Sequence, residues 1–319
     1  MNKLRRFYNQ NSKGIWTLAI IIAFFLILLK LVDFWVGKHF EEQRQNNQAN
    51  SVNTTISTGD NINLNSNKSG VTGEEISKTK LSTDVEIIRE FLDNCSEGKT
   101  EEAYEFLTQE CKEEMYDSIE KFREYYCNNN FKEKNMNFNI ENWVNNTYRV
   151  QMVDDIMATG KFEDGPVKQD YITLKKEDGK NKLNINNYIG RSVLNKEKST
   201  NNINIKVINK NVYMDYETYD IEVRNDTDND ILLDTKENIK SMYIKDSKGT
   251  KYSSYSHEIA LVDLYVQKKQ KRNIKIKYYS SYNSGKDIKE MVFSKVNMNY
   301  KRENNLVDIE EFKEIKVNL

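Results

Sequence analysis

Proline occurs once in 319 residues, histidine twice, cysteine three times and glycine twelve times. Such a proline and glycine count excludes a collagen-like chain. Three cysteines exclude a dense disulfide framework and a four-cysteine zinc site. Two histidines leave little room for histidine-based metal or acid–base chemistry. The twelve glycines form neither a GxGxxG run nor a P-loop, so nucleotide binding has no support. Neither sign of charge prevails: 48 Lys+Arg stand against 49 Asp+Glu, a net charge of −1. A globally basic nucleic-acid binder is thereby excluded, though a local basic patch is not. Long hydrophobic runs are scarce too, which excludes a multi-span transporter. What remains is a polar chain, 30% charged, whose 11% aromatic content is too high for a wholly disordered polymer. Its length suits roughly two domains of ~100–200 residues.

The one long apolar run lies near the N-terminus. Ile15 to Leu29 (IWTLAIIIAFFLILL) carries no charge, and the stretch continues past Lys30 and Asp33 to Val36. As a helix, 15–36 would span ~33 Å at ~1.5 Å per residue, enough for a bilayer core. Trp16 and Trp35 stand near its ends, where amphipathic rings favour the interface. Lys30 can snorkel outward along its methylene stem. The tail 1–14 holds Lys3, Arg5, Arg6 and Lys13 and no acid. The positive-inside rule leaves that tail in the cytoplasm and sends the rest outside. The rival is a cleaved signal peptide, but no small-x-small site follows the core. The expectation is a single-pass membrane anchor. Residues 37–80 are Asn-, Gln-, Ser- and Thr-rich (NNQANSVNTTISTGDNINLNSNKSG) with isolated hydrophobics. They predict a flexible stalk, because such a segment cannot offset its ordering entropy by burial.

An α+β domain is expected over 81–190. Thr83 and Glu86 make a T-x-x-E capping box, and Ile87, Ile88, Phe91, Leu92 and Cys95 follow on one helical face. Gly98 is placed to end that helix. Thr100 can cap a second helix with Ala103, Phe106, Leu107 and Cys111 on one side, and Met115, Ile119, Phe122 and Tyr126 suggest a third. Alternation then replaces the helical period at Phe138, Ile140, Tyr148-Val150-Met152, Tyr171–Leu174 and Leu183-Ile185, with a hairpin turn at Asp178-Gly179-Lys180-Asn181. Three helices followed by antiparallel strands is an α+β pattern.

The run FLDNCSEGKTEEAYEFL, Phe91 to Leu107, resembles the opening of the nuclear transport factor 2-like superfamily, with Ala103, Tyr104 and Leu107 in its Ala-Tyr-x-x-Leu helix. The resemblance implies a cone-shaped domain and carries no catalytic residue. Similar domains hang from membrane anchors in wall-associated proteins and conjugative transfer machines of Gram-positive bacteria. Enzymatic members usually place His and Asp in the cone, and residues 81–190 contain no histidine.

Residues 200–319 predict a β-sandwich. Ile203-Ile205-Val207, Tyr219-Ile221-Val223, Ile274-Ile276-Tyr278, Met291-Phe293, Val296-Met298-Tyr300 and Ile315-Val317-Leu319 alternate at period 2. Turns are expected at 225–230, 246–249 and 283–286. The stretch YDIEVRNDTDNDILL resembles the immunoglobulin-like domains of Gram-positive surface proteins.

Several clusters could carry chemistry. Asp226, Asp228, Asp230, Asp234 and Glu237 fit positions 1, 3, 5, 9 and 12 of a calcium loop, but Ile231 stands where the sharp turn needs Gly. A charged hairpin fits the same residues. Lys268, Lys269, Lys271, Arg272, Lys275 and Lys277 form either an anion patch, centred on the first four, or the solvent face of a strand. Tyr252, Tyr255, Tyr278, Tyr279 and Tyr282 offer recognition chemistry or ordinary strand packing. Cys95, Cys111 and Cys127 are buried small hydrophobes, or two of them form a disulfide. Phe138, Trp143, Tyr148 and Met152 are candidates to line an apolar pocket in the cone, or to fill its core. His39 and His257 read as surface residues.

No cofactor, metal or catalytic constellation is expected. The function expected is that of a non-enzymatic, membrane-anchored extracytoplasmic assembly or protein-interaction module of a bacterial cell-envelope or conjugative transfer complex. Its partners would be the membrane, other envelope proteins and wall polymer, with DNA less favoured. The alternative is a ligand-binding or sensing protein that uses the apolar pocket.

Overall fold

Ser77 starts the helical layer. Its Oγ accepts the amide of Lys80 (3.2 Å) and caps α1, Lys78–Ser96. A computed structural model describes residues 62–64, 67–131, 136–154, 168–235, 241–255, 258–282, 285–301 and 311–319. The expected tail, the span at 15–36 and most of the stalk lie outside them. Among the described residues no helix is long and apolar enough to cross a membrane.

The helix begins earlier than the expected Thr83 cap. Leu81 and Val85 extend the buried face of Ile88, Leu92 and Cys95 by one turn upstream. Thr83 thus lies inside the helix and donates to the Thr79 carbonyl. Gly98, at φ +77°, turns the chain out of α1. The next two helices differ from expectation. Thr100 is the first residue of α2, Thr100–Glu105, and not its cap. Thr108 and Ser118 then offer side-chain caps, to Cys111 and Lys121, and these start two more short helices, α3 (Gln109–Met115) and α4 (Ile119–Phe122). A wide helical turn over Arg123–Cys127 leads into α5, Asn128–Asn130. That turn buries both Tyr126 and Cys127. Cys127 joins Cys95 in a disulfide (Cα–Cα 5.3 Å), which ties the wide turn to the end of α1. Cys111 stays a buried free thiol.

The five strands of the first sheet are β1 (Ile62–Leu64), β2 (Met136–Val144), β3 (Thr147–Asp154), β4 (Lys168–Glu177) and β5 (Lys180–Asn184), in that spatial order. Pairing is antiparallel except for β1, which lies parallel to β2. Asp178 and Gly179, at φ +50° and +77°, form the two-residue hairpin turn between β4 and β5. The inner face of this sheet meets the helices in one core. The folded part begins before residue 81, correcting the stalk boundary. Lys68 bridges Glu75, and the amides of Gly70 and Val71 bond the carbonyls of Asn142 and Trp143 (2.9 and 3.2 Å). Gly70 passes so close to Trp143 that a Cβ would meet the ring at 2.9 Å. A polar segment needs no apolar side chains to add to a sheet edge, since main-chain hydrogen bonds suffice.

Two further sheets enclose a second core. One is β6 (Tyr188–Thr200), β7 (Ile203–Tyr213), β8 (Glu217–Asn225) and β13 (Gln270–Tyr278), in the order β13-β8-β7-β6. The other contains β9 (Ile231–Leu232), β10 (Met242–Asp246), β11 (Lys251–Ser253), β12 (Tyr265–Val266), β14 (Ile288–Asn297) and β15 (Phe312–Asn318). A short helix α6, Leu261–Leu264, precedes β12. The alternating segments in β7, β8, β13 and β15 bury their apolar faces at period 2, whereas β14 buries Met291, Val292 and Phe293 in a row and ends before Met298 and Tyr300. The chain is thus α+β, dominated by antiparallel sheet.

The boundary at 190–200 is not a linker. Strand β6 runs without a break from the first core, which includes Tyr188 and Tyr213, into the sheet whose Ile203, Ile205 and Val207 belong to the second. Its outer part is exposed on alternate and adjacent residues alike, so it shows no apolar period. The β6–β7 hairpin is therefore shared by both halves.

Candidate functional site

The acidic side of α3 faces that hairpin. Glu114 is 6% exposed at its side chain. It accepts hydrogen bonds from Tyr213 Oη (2.8 Å) on β7, from Lys275 Nζ (2.7 Å) on β13 and from Arg191 Nη2 (3.4 Å) on β6. Arg191 also meets Glu113 through Nη1 (2.7 Å) and Asn211 Oδ1 through Nε (2.9 Å). Tyr188 Oη donates to the same Asn211 oxygen (3.2 Å), and Asn211 Nδ2 donates to Asp220 (3.2 Å). One turn earlier, Glu110 pairs with Lys175 and accepts from Asn184 Nδ2 (2.7 Å) and the Arg191 amide (3.2 Å). Burial, with the Glu114 charge beside it, pushes the Tyr213 phenol far above its ordinary range. Hydrogen bonds from Gln109 and then Arg191 hold the Glu113 carboxyl below its ordinary value. One carboxylate thus ties the shared hairpin β6–β7 and β13 of the second half to α3.

A run of tyrosines leads from this junction to the surface. Tyr188 packs on Tyr213 (5.1 Å between centroids), Tyr213 stacks on Tyr216 (4.3 Å), and Tyr216 meets Tyr255 edge-on (6.3 Å). Tyr255 stacks on Tyr279, which is 46% exposed. Lys277 Nζ lies 4.0 Å from the Tyr216 ring and 4.2 Å from the Tyr255 ring, and pairs with Glu258 (3.0 Å). Burial, and Glu114 after it, pushes the Tyr216 phenol up to about 12. Of the tyrosines singled out in the sequence, only Tyr255 and Tyr279 join this run. Tyr278 is buried edge-on against Tyr219, Tyr252 donates to Asp246 (3.0 Å), and Tyr282 accepts from Asn145 Nδ2 (2.8 Å). Tyr213 and Tyr216 were missed because they flank the β7–β8 turn, far along the chain from the others.

The four expected pocket residues do not share a cavity. Phe138, Tyr148 and Met152 lie on the inner face of the sheet, packed in the core at 4%, 0% and 3% exposure. Trp143, an odd number of positions from Phe138, points to the outer face, between Arg149 (4.8 Å) and Tyr171 (5.5 Å). Tyr148 Oη donates to the buried Asp84 carboxylate (2.6 Å).

Lys269, Lys271 and Arg272 of the basic cluster are matched by acids and carbonyls. Lys269 pairs with Asp228 (2.9 Å) and reaches the Asp226 carbonyl, and Lys271 pairs with Glu222 (3.1 Å). Arg272 holds the carbonyls of Val262 and Tyr265 and the carboxylate of Asp263. The Lys268 amide donates to Asp230 (2.9 Å). Much of the cluster is thus an exposed ion-paired face. The calcium pattern is dispersed in the same way. Asp226 takes Arg224, Asp230 takes Tyr265, and Asp234 is buried against Ser241. Among the described residues no group of three such ligands gathers. Glu237, His39 and His257 lie outside the described residues.

Asp170 and Cys111, both buried in the first half, carry shifted ionisation besides the tyrosines there. Asp170 accepts from Tyr126 Oη (2.7 Å) and from the amides of Asn186 and Asn187 (3.0 and 2.9 Å). Burial still raises its carboxyl above the usual range. Both asparagines adopt positive φ, so Asp170 pins the turn that enters β6. Burial pushes the Cys111 thiol up to about 12, which makes it a poor nucleophile.

No protein-family model, no curated protein and no solved structure matches the chain.

Proposed function

We propose that the chain is a non-enzymatic, single-pass membrane protein whose two folded halves stand outside the cell as an assembly or protein-interaction module of a bacterial envelope or conjugative transfer complex. In this reading 15–36 is the anchor, the first half is a cone of the nuclear transport factor 2-like kind, and the second is an immunoglobulin-like sandwich. The apolar run and its basic flank support the anchor. The Cys95–Cys127 disulfide supports an oxidising compartment. The observation that carries the assembly role is the junction. A shared hairpin and the Glu114 network couple the two halves, as a module that holds partners at a set spacing requires. The stacked tyrosines beside it give rigid contact area at low entropic cost. Crosslinking in living cells, followed by purification of the intact chain and mass spectrometry, tests the proposal. Recovery of several membrane and ATPase subunits is the expected result. Recovery of the chain alone, with a control complex captured in parallel, overturns it.

A further inference from the structure

Tyr255 and Tyr279 lie face to face, with ring centroids 3.4 Å apart and planes inclined by 17°. Aromatic pairs left to themselves prefer an offset or edge-on arrangement at ~4.5–7 Å, because the faces of two rings repel. The main chain imposes the closer approach. Ser254 and Tyr278 form an antiparallel bridge, and the amides of Tyr255 and Tyr279 donate to the carbonyls of Lys277 and Ser253 (both 2.9 Å). Tyr255 and Tyr279 are thereby diagonal neighbours on one face of the pair, a relation that brings aromatic side chains within reach of each other. Lys277 Nζ, paired with Glu258, sits 4.2 Å from the Tyr255 centroid, and Tyr216 meets the same ring edge-on. Tyr279, 46% exposed, is the outermost ring of the run.

Two phenols held in this way are placed for oxidative coupling. Loss of one electron and the phenolic proton puts spin on the ring carbons beside the oxygen, and two such radicals in contact join carbon to carbon. Tyr279 is open to an oxidant, and Tyr255 gives up its electron through the ring stacked on it. The free thiol of Cys111, which would divert the oxidation, is 0% exposed. Tyr125, the other exposed tyrosine among the described residues, has no aromatic partner among them. We propose that Tyr255 and Tyr279 are a modification site, coupled to a dityrosine by a haem peroxidase with hydrogen peroxide as the oxidant. Each phenol releases one electron and one proton, and a bond forms between a Cε of each ring. The hydrogens on those two carbons then move to the oxygens and restore both phenols. Hydrogen peroxide takes up the two electrons and two protons and leaves as two waters. The new bond closes a seam between the two sheets of the second half, since Tyr255 follows β11 of one and Tyr279 follows β13 of the other.

Oxidation of the full-length chain in detergent by a haem peroxidase and limiting hydrogen peroxide, followed by trypsin and mass spectrometry, tests this. Residues 252–268 and 278–286 should be recovered joined, lighter by two hydrogens than the unjoined pair, with fragment ions placing the bond at Tyr255 and Tyr279. Tyr255→Phe and Tyr279→Phe should each abolish that product, and both keep the ring and so the packing. Tyr125→Phe, Tyr252→Phe and Tyr282→Phe should leave it in place. A chain unfolded in urea, oxidised with a peroxidase active there, should lose the preference for this pair. Absence of the joined peptide from the folded chain overturns the proposal. So does a joined peptide that survives Tyr255→Phe or Tyr279→Phe, or one that forms equally well in urea. Chains joined to one another as the main product overturn it too, because the stack couples rings within one chain. The inference rests on the stacked pair alone, and its failure leaves the crosslinking result above unaffected.

Discussion

Removing the Glu114 carboxylate is the sharpest perturbation of the coupling between the halves. In Glu114→Ala, Tyr213 keeps only the weak Met115 Sδ acceptor (3.6 Å) in a buried setting, at 4% exposure for the residue. An orphaned buried hydroxyl costs ~1–3 kcal/mol. Lys275 is 48% exposed at its side chain and turns to water or to Asp220, so its share is ~0–1 kcal/mol. Arg191 keeps Glu113 and Asn211 and contributes little. The total is ~3 kcal/mol, set mainly by Tyr213. Lys275→Ala, which removes only the exposed partner, should cost less than ~1 kcal/mol. Urea unfolding followed by two probes reads both numbers. With Trp16 and Trp35 replaced by Phe, the fluorescence of Trp143 reports the α+β half, since the second half has no tryptophan, and far-ultraviolet circular dichroism reports both halves. The wild-type curves should coincide, and the Glu114→Ala curves should separate as the halves lose their coupling. A loss under ~0.5 kcal/mol with coincident curves would refute the reasoning. It would mean that the β6–β7 hairpin alone couples the halves.

Two further outcomes follow from burial. Tyr126, Tyr148, Tyr188, Tyr213, Tyr219 and Tyr278 are each at most 4% exposed, and burial raises every one of these phenols above its ordinary value. Above about pH 10 the unfolded chain releases these protons and the folded chain keeps them, so stability falls as pH rises. The loss is about 1.4 kcal/mol per tyrosine at about pH 11, or ~8 kcal/mol for the set, comparable to a typical domain stability. Tyrosinate absorbance should therefore rise with the unfolding transition, and free titration of all tyrosines in a still-folded chain would contradict it. For the cysteines, alkylation of the denatured, unreduced chain should label one thiol, Cys111, and reduction should expose all three. Cys95→Ser with Cys127→Ser should cost ~2–4 kcal/mol by urea unfolding, and three free thiols before reduction would remove the disulfide from the account.

The secondary elements were legible where their signal is local. A period of 2 over Ile203–Val207 or Tyr219–Val223 arises within five residues, and β7 and β8 follow it. Gly98 and the Asp178-Gly179 turn were readable for the same reason, because a left-handed backbone marks its own residue type. Caps were less legible. Thr83, Ser77, Thr100 and Thr108 all carry suitable side chains, and the choice among them fell to which register buries Leu81, Val85 and Cys111.

By itself the sequence determined the α+β order, the alternating strands of the second half and their inward faces, since each depends on near neighbours along the chain. Only the tertiary structure decided the rest. It showed that β6 belongs to both halves and that Gly70 and Val71, within the expected stalk, bond to β2 of the first sheet. It also chose Cys127 over Cys111 as the partner of Cys95, and brought Glu114 to Tyr213 and Lys275. These contacts join residues 32 to 161 positions apart. No periodicity encodes such a pairing. It is fixed by which faces must be buried together once the sheets and helices have formed.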